Sequence, residues 1–347
     1  MKKTIVALAV AAVAATSANA ATVYNQDGTK VDVGGSVRLK LENVKNQRTD
    51  LRDNGSRVTF NASQDLGEGL SALAQLEIRF SKDAIGDSVS NSRLWAGFKY
   101  EDLGTLTFGK QLTNGDDVGV SDYSYLYGGV NQVISSGNKV VKFRSANFSG
   151  FSFGADYLFG QADEAQPKND AYVLAAFYER KFGDFGFALD LGHSTANKSS
   201  DVQAQPVVKY KEKALTVGAE LSYANFAVGV DYSQVKASKG QNVTYKVEHL
   251  GSKGIITTGF NKVQLVELGL KYQLTEKTKL YGEYIWGTGK LAAANTPKFK
   301  ANGFVLGVDY KIHKNVLTFV EGIRLKGKYD GASASGSAVG VGLRVFF

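Results

Sequence analysis

Along residues 31–42 the side chains divide by parity. Val31, Val33, Gly35, Val37, Leu39 and Leu41 fall on one face, and Asp32, Gly34, Ser36, Arg38, Lys40 and Glu42 on the other. A period of two, with one face suited to hydrocarbon and one to water, describes a β-strand. The pattern returns along the whole chain in segments of about ten residues, the length a tilted strand needs to cross a bilayer. It predicts a transmembrane β-barrel.

Composition alone does not decide this, because 43% hydrophobic residues and a mean hydropathy of −0.17 would also suit a large soluble core. The arrangement does. After the first twenty residues no apolar run approaches 18, so transmembrane helices are excluded. The 39 Gly, 17 Tyr and 20 Phe against only 3 Pro fit twisted strands with interfacial aromatics.

The amino terminus has basic Lys2 and Lys3, an apolar stretch from Ile5 to Ala15, and small residues Ala18 and Ala20 around Asn19. That is a signal peptide, residues 1–20, removed after Ala20; a short membrane anchor fits less well because no stop-transfer pattern follows. Residues 21–347 then form one exported barrel domain. The chain has no Cys, which excludes thiolate metal sites, redox pairs and Cys nucleophiles. Removing Lys2 and Lys3, with no acid in residues 1–20, takes the formal charge from +8 to +6, too modest for a nucleic-acid partner.

The same alternation predicts sixteen strands near 31–42, 54–66, 70–80, 91–101, 105–110, 139–148, 151–160, 171–181, 185–194, 213–223, 226–235, 262–273, 279–287, 299–310, 316–325 and 338–347. The segments 171–181, 279–287 and 316–325 are apolar on both parities, so their facing stays open. Connections alternate in kind. Short ones fall at 65–69, 101–104, 148–150, 182–184, 223–225, 274–278 and 311–315. Longer polar ones fall near 43–53, 81–90, 111–138, 161–170, 195–212, 236–261, 288–298 and 326–337. Short periplasmic turns against long external loops, with an even strand number, is the rule for membrane barrels. A soluble sandwich or propeller would lack that two-class alternation.

Three arginines stand at polar parity on early strands. Arg57 and Arg93 each lie eight residues above their turns at 65 and 101, and Arg38 lies seven above the start of its strand. With about 3.3 Å per residue and a tilt near 45°, that is roughly 15–20 Å up the wall, near mid-barrel. Arg79 also points to the lumen. A charge on the lipid face there would cost roughly 2–4 kcal/mol, whereas the lumen is wet. The plainer reading is a set of ordinary lumen charges sharing no constriction.

Several stretches carry a resemblance. The start of the mature chain, Ala21 to Val33 (ATVYNQDGTKVDV), resembles the opening of the Gram-negative general trimeric porins. Gly55-Ser-Arg-Val, Asn91 to Tyr100 (NSRLWAGFKY), Phe143 to Phe151 (FRSANFSGF) and the terminal Phe347 match in order and spacing. The resemblance implies a sixteen-stranded antiparallel barrel in the outer membrane, three to a complex, each with a water-filled pore for passive diffusion of ions and small hydrophilic solutes. It also implies a third loop, here 111–138, folded inward to narrow the pore and carrying Asp116, Asp117 and Asp122. Arg57, Arg93 and Asp122 carry over directly. Arginines facing acids would set a transverse field that filters by size and charge.

The chain departs from the family at three places. Leu126 stands where the loop commonly has a glutamate, Ser36 where the first strand commonly has a lysine, and the sixth strand offers Lys139, Lys142 and Arg144 in place of a clear mid-barrel arginine. The acid missing at Leu126 and the positive mature chain point toward anions. The predicted cationic wall is therefore Arg38, Arg57, Arg79, Arg93, Lys142 and Arg144. The predicted constriction loop bears Asp116, Asp117, Asp122, Tyr125 and Tyr127.

Phe347 is expected to serve the barrel-assembly machinery, or to be an interfacial aromatic. Other expected partners are outer-membrane lipid and lipopolysaccharide, with loop lysines such as Lys236, Lys239 and Lys253 either solvated or in contact with it. Catalysis and metal binding are not expected: His193, His249 and His313, the only histidines, are scattered, and no cofactor motif is present. Two other readings remain, a receptor or structural barrel plugged by 111–138, and a solute-specific channel with Tyr123, Tyr125 and Tyr127 as a sugar-stacking track.

Overall fold

The computed structural model describes residues 20–80, 85, 88–164, 167–200, 207–243, 259–293 and 296–347. The expected signal segment, His249 and Lys253 lie outside them, apart from Ala20. The strands are β1 (Ala21–Gln26), β2 (Thr29–Val44), β3 (Asp50–Asp53), β4 (Arg57–Gly67), β5 (Leu70–Phe80), β6 (Val89–Tyr100), β7 (Gly104–Leu112), β8 (Ser136–Ser145) and β9 (Phe151–Leu158). They continue as β10 (Ala171–Phe182), β11 (Phe185–Ser199), β12 (Lys209–Tyr223), β13 (Phe226–Ala237), β14 (Lys262–Gln273), β15 (Thr278–Lys290), β16 (Phe299–His313), β17 (Val316–Tyr329) and β18 (Ala332–Phe346).

Sixteen of them, β2 and β4–β18, form the wall. Each pairs antiparallel with its neighbour, and β18 closes the ring on β2 from Ala338↔Val44 to Phe346↔Ser36. Closure leaves no unpaired sheet edge, which a bilayer would not tolerate. Outward positions carry exposed apolar residues, among them Val37, Leu41, Leu94, Phe98, Leu174, Trp286, Phe304 and Val341. No helix among the described residues is long and apolar enough to cross a membrane.

β1 and the carboxyl end of the chain meet at one seam. Gly35 donates its N–H to the Phe347 carbonyl at 2.8 Å, and Phe347 N–H returns to Gly35 O at 3.1 Å. Immediately beyond, β1 pairs with the remaining edge of β2, from Ala21↔Val33 to Gln26↔Thr29. β1 and the end of β18 thus share one strand position beside β2.

The sixteen wall strands overlap the predicted ones, but several run further toward the loop end. The expected long loop 326–337 is a two-residue turn, Asp330-Gly331, both at positive φ (46° and 80°). The same Asp-Gly turn at Asp27-Gly28 (φ 51° and 74°) joins β1 to β2. In both, two successive residues with positive φ match the right-handed twist of a tight hairpin. The loop expected at 195–212 shrinks because β11 continues to Ser199, placing His193 within a strand rather than at its end. β3, also unexpected, folds back on β2 from Leu39↔Asp53 to Glu42↔Asp50.

The three strands of undetermined facing place Val173, Tyr281, Glu283, Phe319, Glu321 and Ile323 in buried positions, while Tyr172, Leu174, Tyr284, Trp286 and Val320 are exposed outside. Their inner apolar residues are covered by residues 113–135. That segment does not rise from the barrel but turns into it, and its burial creates the molecule's core. Val130 and Val133 join Val173, Val235 and Val263 in one cluster. Leu126 and Tyr127 join Val305, Phe319 and Ile323 in a second.

Candidate pore constriction

On one side of the lumen, register assembles a charge cluster. Ser36 of β2 faces Arg57 of β4, which faces Arg79 of β5. One pair along, Thr59 faces Glu77, which faces Arg93. The register runs evenly from Leu70↔Tyr100 to Glu77↔Arg93, and on the loop side of that pair a bulge in β6 steps it to Ile78↔Asn91, leaving Ser92 extra. The extra residue re-aims the strand so that both Ser90 and Arg93 share the inner face.

Glu77, 0% exposed, is the counter-charge at the centre. Its carboxylate lies 2.6 Å from Arg79 Nε, 3.5 Å from Arg93 Nη1 and 3.7 Å from Arg57 Nη1, with Thr59 Oγ1 donating at 3.4 Å. Arg38 stands beside them, its Nε on Ser36 Oγ at 2.8 Å and its charge facing Arg79 and Arg344. One carboxylate cannot neutralise four guanidiniums, so the remainder relies on lumen water. The side chains of Arg57, Arg93 and Arg79 keep 12%, 17% and 26% of their surface accessible. Glu77, inward by parity on its strand, is absent from the site residues predicted from sequence; its signal is a height level with Arg93, counted from the turn-side strand ends at Leu70 and Tyr100.

The inward loop is held against the opposite wall by carboxylates. After a one-turn 3-10 helix (Asn114–Asp117) capped by Thr113, Asn114 N–H donates to Asp156 on β9 at 2.9 Å. Val120 and Ser121 N–H donate to Asp231 on β13, each at 3.0 Å. Ser121 Oγ and Gly129 N–H reach Glu267 on β14 at 2.8 and 3.0 Å, and Tyr123 N–H reaches Glu283 on β15 at 2.7 Å. At the tip, Glu321 on β17 accepts the N–H groups of Tyr125, Leu126 and Tyr127 at 2.8, 3.0 and 2.9 Å. An irregular backbone has no ladder partners of its own, so these acids supply the acceptors its buried N–H groups need. Where the loop backbone passes β13 and β14 the wall has Gly229 and Gly269. A Cβ on Gly229 would lie 2.7 Å from Val120 O, and one on Gly269 would overlap Ser121.

The loop tyrosines point into the wall. Tyr123 OH donates to Glu220, Tyr125 OH to Asp309 at 2.6 Å and Tyr127 OH to Glu42 at 2.8 Å. Cations lie against two of the rings: Lys271 is 4.4 Å from Tyr123, and Arg344 and Lys279 are each 4.6 Å from Tyr125. Leu126, where sequence comparison expected an acid, is 4% exposed and seated among Val305, Phe319 and Ala338.

The predicted acids divide. Asp116 is exposed to the lumen, and its charge faces Arg93, Arg79 and Lys142. Asp117 pairs with Arg144 Nη1 at 3.2 Å. Asp122 is exposed but accepts Ser124 N–H at 2.9 Å, and its charge faces Glu267 and Glu283 rather than the arginines. Lys142 and Arg144 stand at the loop's root, apart from the four clustered arginines. Lys142 Nζ donates to Leu112 O at 3.3 Å, and Arg144 lies 3.8 Å over the Phe177 ring. Phe347 ends the seam with its ring exposed.

The loop therefore reaches from β9 across to Glu42 on β2, along most of the inner wall, and leaves the arginine-bearing strands β2–β6 facing its free side. Of the loop's exposed acids, Asp116 is the one whose charge faces that cationic wall.

Comparison with known proteins fits this architecture. Residues 7–330 match the Gram-negative porin family. The chain is 50% identical, over 370 aligned positions covering all of both chains, to a major outer membrane protein of Pasteurella multocida. Among solved structures, the trimer form of the Vibrio cholerae outer membrane protein OmpT superposes with a TM-score of 0.69 at 20% identity, covering 92% of this chain and all of that one. An anion-selective porin from Comamonas acidovorans superposes with a TM-score of 0.68 at 18% identity, over 92% of this chain and all of that one.

Proposed function

The chain belongs to the Gram-negative porin family, and from that premise we propose that its pore is filtered where Arg38, Arg57, Arg79 and Arg93 face the docked loop. As a porin it is an outer-membrane β-barrel that lets ions and small hydrophilic solutes cross by passive diffusion. The observation that carries the filter is the one-sided fixing of the loop: Asp231, Glu267, Glu283 and Glu321 hold it to β13–β17, leaving partly accessible guanidiniums opposite. Fixed opposite charges across a narrow wet gap orient dipolar solutes and exclude large ones.

The receptor or structural reading needs a loop that plugs the lumen, and docking against one wall favours the channel. The sugar-track reading needs free tyrosine faces; the hydroxyls of Tyr123, Tyr125 and Tyr127 are engaged by wall carboxylates, which favours packing. A channel needs no catalytic group, and none is assigned. Residues 1–20 act as a cleaved signal, and Phe347 as the mark read by the assembly machinery. Three copies associate, a reading supported by the trimer form of the Vibrio cholerae neighbour. Lipopolysaccharide surrounds the rim.

Liposome swelling tests the filter. Proteoliposomes should swell quickly in small sugars and ever more slowly as solute size rises. Swelling that ignores solute size, or none at all from a folded barrel, would contradict it.

A further inference from the structure

Below the arginine cluster, toward the turns, the same inner wall carries a row of different chemistry. Asp32, Asn61, Gln75 and Trp95 stand opposite one another across β2, β4, β5 and β6, two residues along from Thr59, Glu77 and Arg93 and on the same face. Hydrogen bonds run along the row. Trp95 Nε1 donates to Gln75 Oε1 at 3.0 Å, and Gln75 Nε2 donates to Asn61 Oδ1 at 2.7 Å. The first bond pins the polar edge of the indole to β5, and the second leaves the Asn61 amide NH2 without an acceptor among the described residues. Asp32, at the far end, is held by Lys30 at 2.8 Å.

The neighbouring strand positions leave the indole uncovered. Opposite Trp95 on β7 is Gly109, where a Cβ would meet Trp95 Cβ at 3.1 Å, and the next inward residue of β6 toward the turn is Gly97. Among the described residues no ring or cation stacks on Trp95. The loop tyrosines differ, since Lys271 lies on Tyr123 and Arg344 and Lys279 on Tyr125. Trp95 is half-buried, and its inward parity turns the accessible part to the lumen. Arg93 stands two residues above it, about 6.6 Å along the strand.

We propose that Trp95, with Gln75 and Asn61 beside it and Arg93 above it, is a weak binding station for acidic monosaccharides, pyranoses that carry an anionic group. The electron-rich indole face takes the C–H face of the sugar ring, the Asn61 amide donates to ring hydroxyls, and Arg93 takes the anion. The arginine alone would hold any small anion and the indole alone any apolar face. Their spacing on one wall selects a molecule that presents both. The station lies on the wall that faces the loop, apart from the loop tyrosines, and it deepens the filter reading, on whose lumen-facing arginines it rests.

The chain has two tryptophans, and Trp286 is exposed on the outer wall, so a folded full barrel with Trp286→Phe reports on Trp95 alone. Its fluorescence is titrated with glucuronate, with glucose, which lacks the charge, and with gluconate, an open-chain anion of the same charge. Glucuronate should change the emission saturably, at a half-saturating concentration about fivefold or more below that of either control. In planar bilayers glucuronate should reduce wild-type conductance saturably, and Trp95→Leu should raise the half-blocking concentration about fivefold or more. Equal half-saturation by glucuronate and gluconate, or a block that Trp95→Leu leaves unchanged, would overturn the inference. If Trp95→Leu does not fold, the fluorescence comparison decides it. That comparison needs no current: a folded barrel that conducts nothing would fault the filter reading and leave the titration to judge the station.

Discussion

Glu77 and Arg93 stand directly opposite each other on adjacent strands, with Oε2 3.5 Å from Nη1, at the last even pair before the bulge at Ser92. Around that pair the pore acquires a cationic wall with one buried counter-charge. Replacing Glu77 with Gln keeps the shape and removes the charge. The expected outcome is a reversal potential shifted toward anions and a folding loss of about 1–3 kcal/mol from the guanidiniums left without an acceptor. Selectivity in a salt gradient and the heating midpoint of the folded band on gels check the two parts.

The converse change, Arg57→Gln with Arg93→Gln, leaves Glu77 paired with Arg79 alone, 2.6 Å away. The reversal potential should move toward cations while the barrel still assembles. An unchanged potential would mean that these arginines do not face the permeation path.

Glu321 accepts three consecutive loop N–H groups and the Tyr281 hydroxyl. Hydrogen bonds to a charged group contribute roughly 1.5–3 kcal/mol each, so Glu321→Ala should undock the loop tip without unfolding the wall. Single-channel records should show larger and noisier steps than wild type.

Leu126 anchors the same tip by packing, and Leu126→Ala should cost about 2–3 kcal/mol. Because the loss falls on loop docking, its readout is again channel noise rather than barrel melting.

Outside the membrane, Asp170 receives donors from Asn197, Lys168 and Tyr157, which hold its carboxyl well below the usual carboxylate range. A depressed carboxylate contributes stability above its unfolded value, near 3.9, and loses it only as pH falls toward the folded value. Limited proteolysis at Lys168 should therefore proceed equally at pH 7.5 and pH 5, and Asp170→Asn should speed it at both.

What could be read from the sequence followed from periodicity. β2, β4 and β18 alternate over most of their membrane-crossing length because one face meets hydrocarbon and the other water, and the arginines of β2 and β4 could be placed by counting from a turn or a strand start. β10, β15 and β17 could not be faced, since Val173, Tyr281 and Phe319 lie on the lumen side yet are apolar. They are covered by residues 113–135, a segment distant in sequence. The Asp-Gly pairs at 27–28 and 330–331 carry hairpin turns in their own chemistry, and reading length instead of turn type made one of them a long loop. Glu77 alternates inward on β5 and lies level with Arg93 when both are counted from the turns, so its place was within reach of the same periodicity; what the alternation does not mark is the bulge at Ser92 beyond it.

Reversal potential and single-channel conductance of the mature protein in a planar bilayer test the account most directly. The account predicts large, stable steps, grouped in threes, with a selectivity that Glu77→Gln and the Arg57/Arg93 double variant move in opposite directions. A folded barrel that passes no current, or variants that leave selectivity where it was, would contradict it.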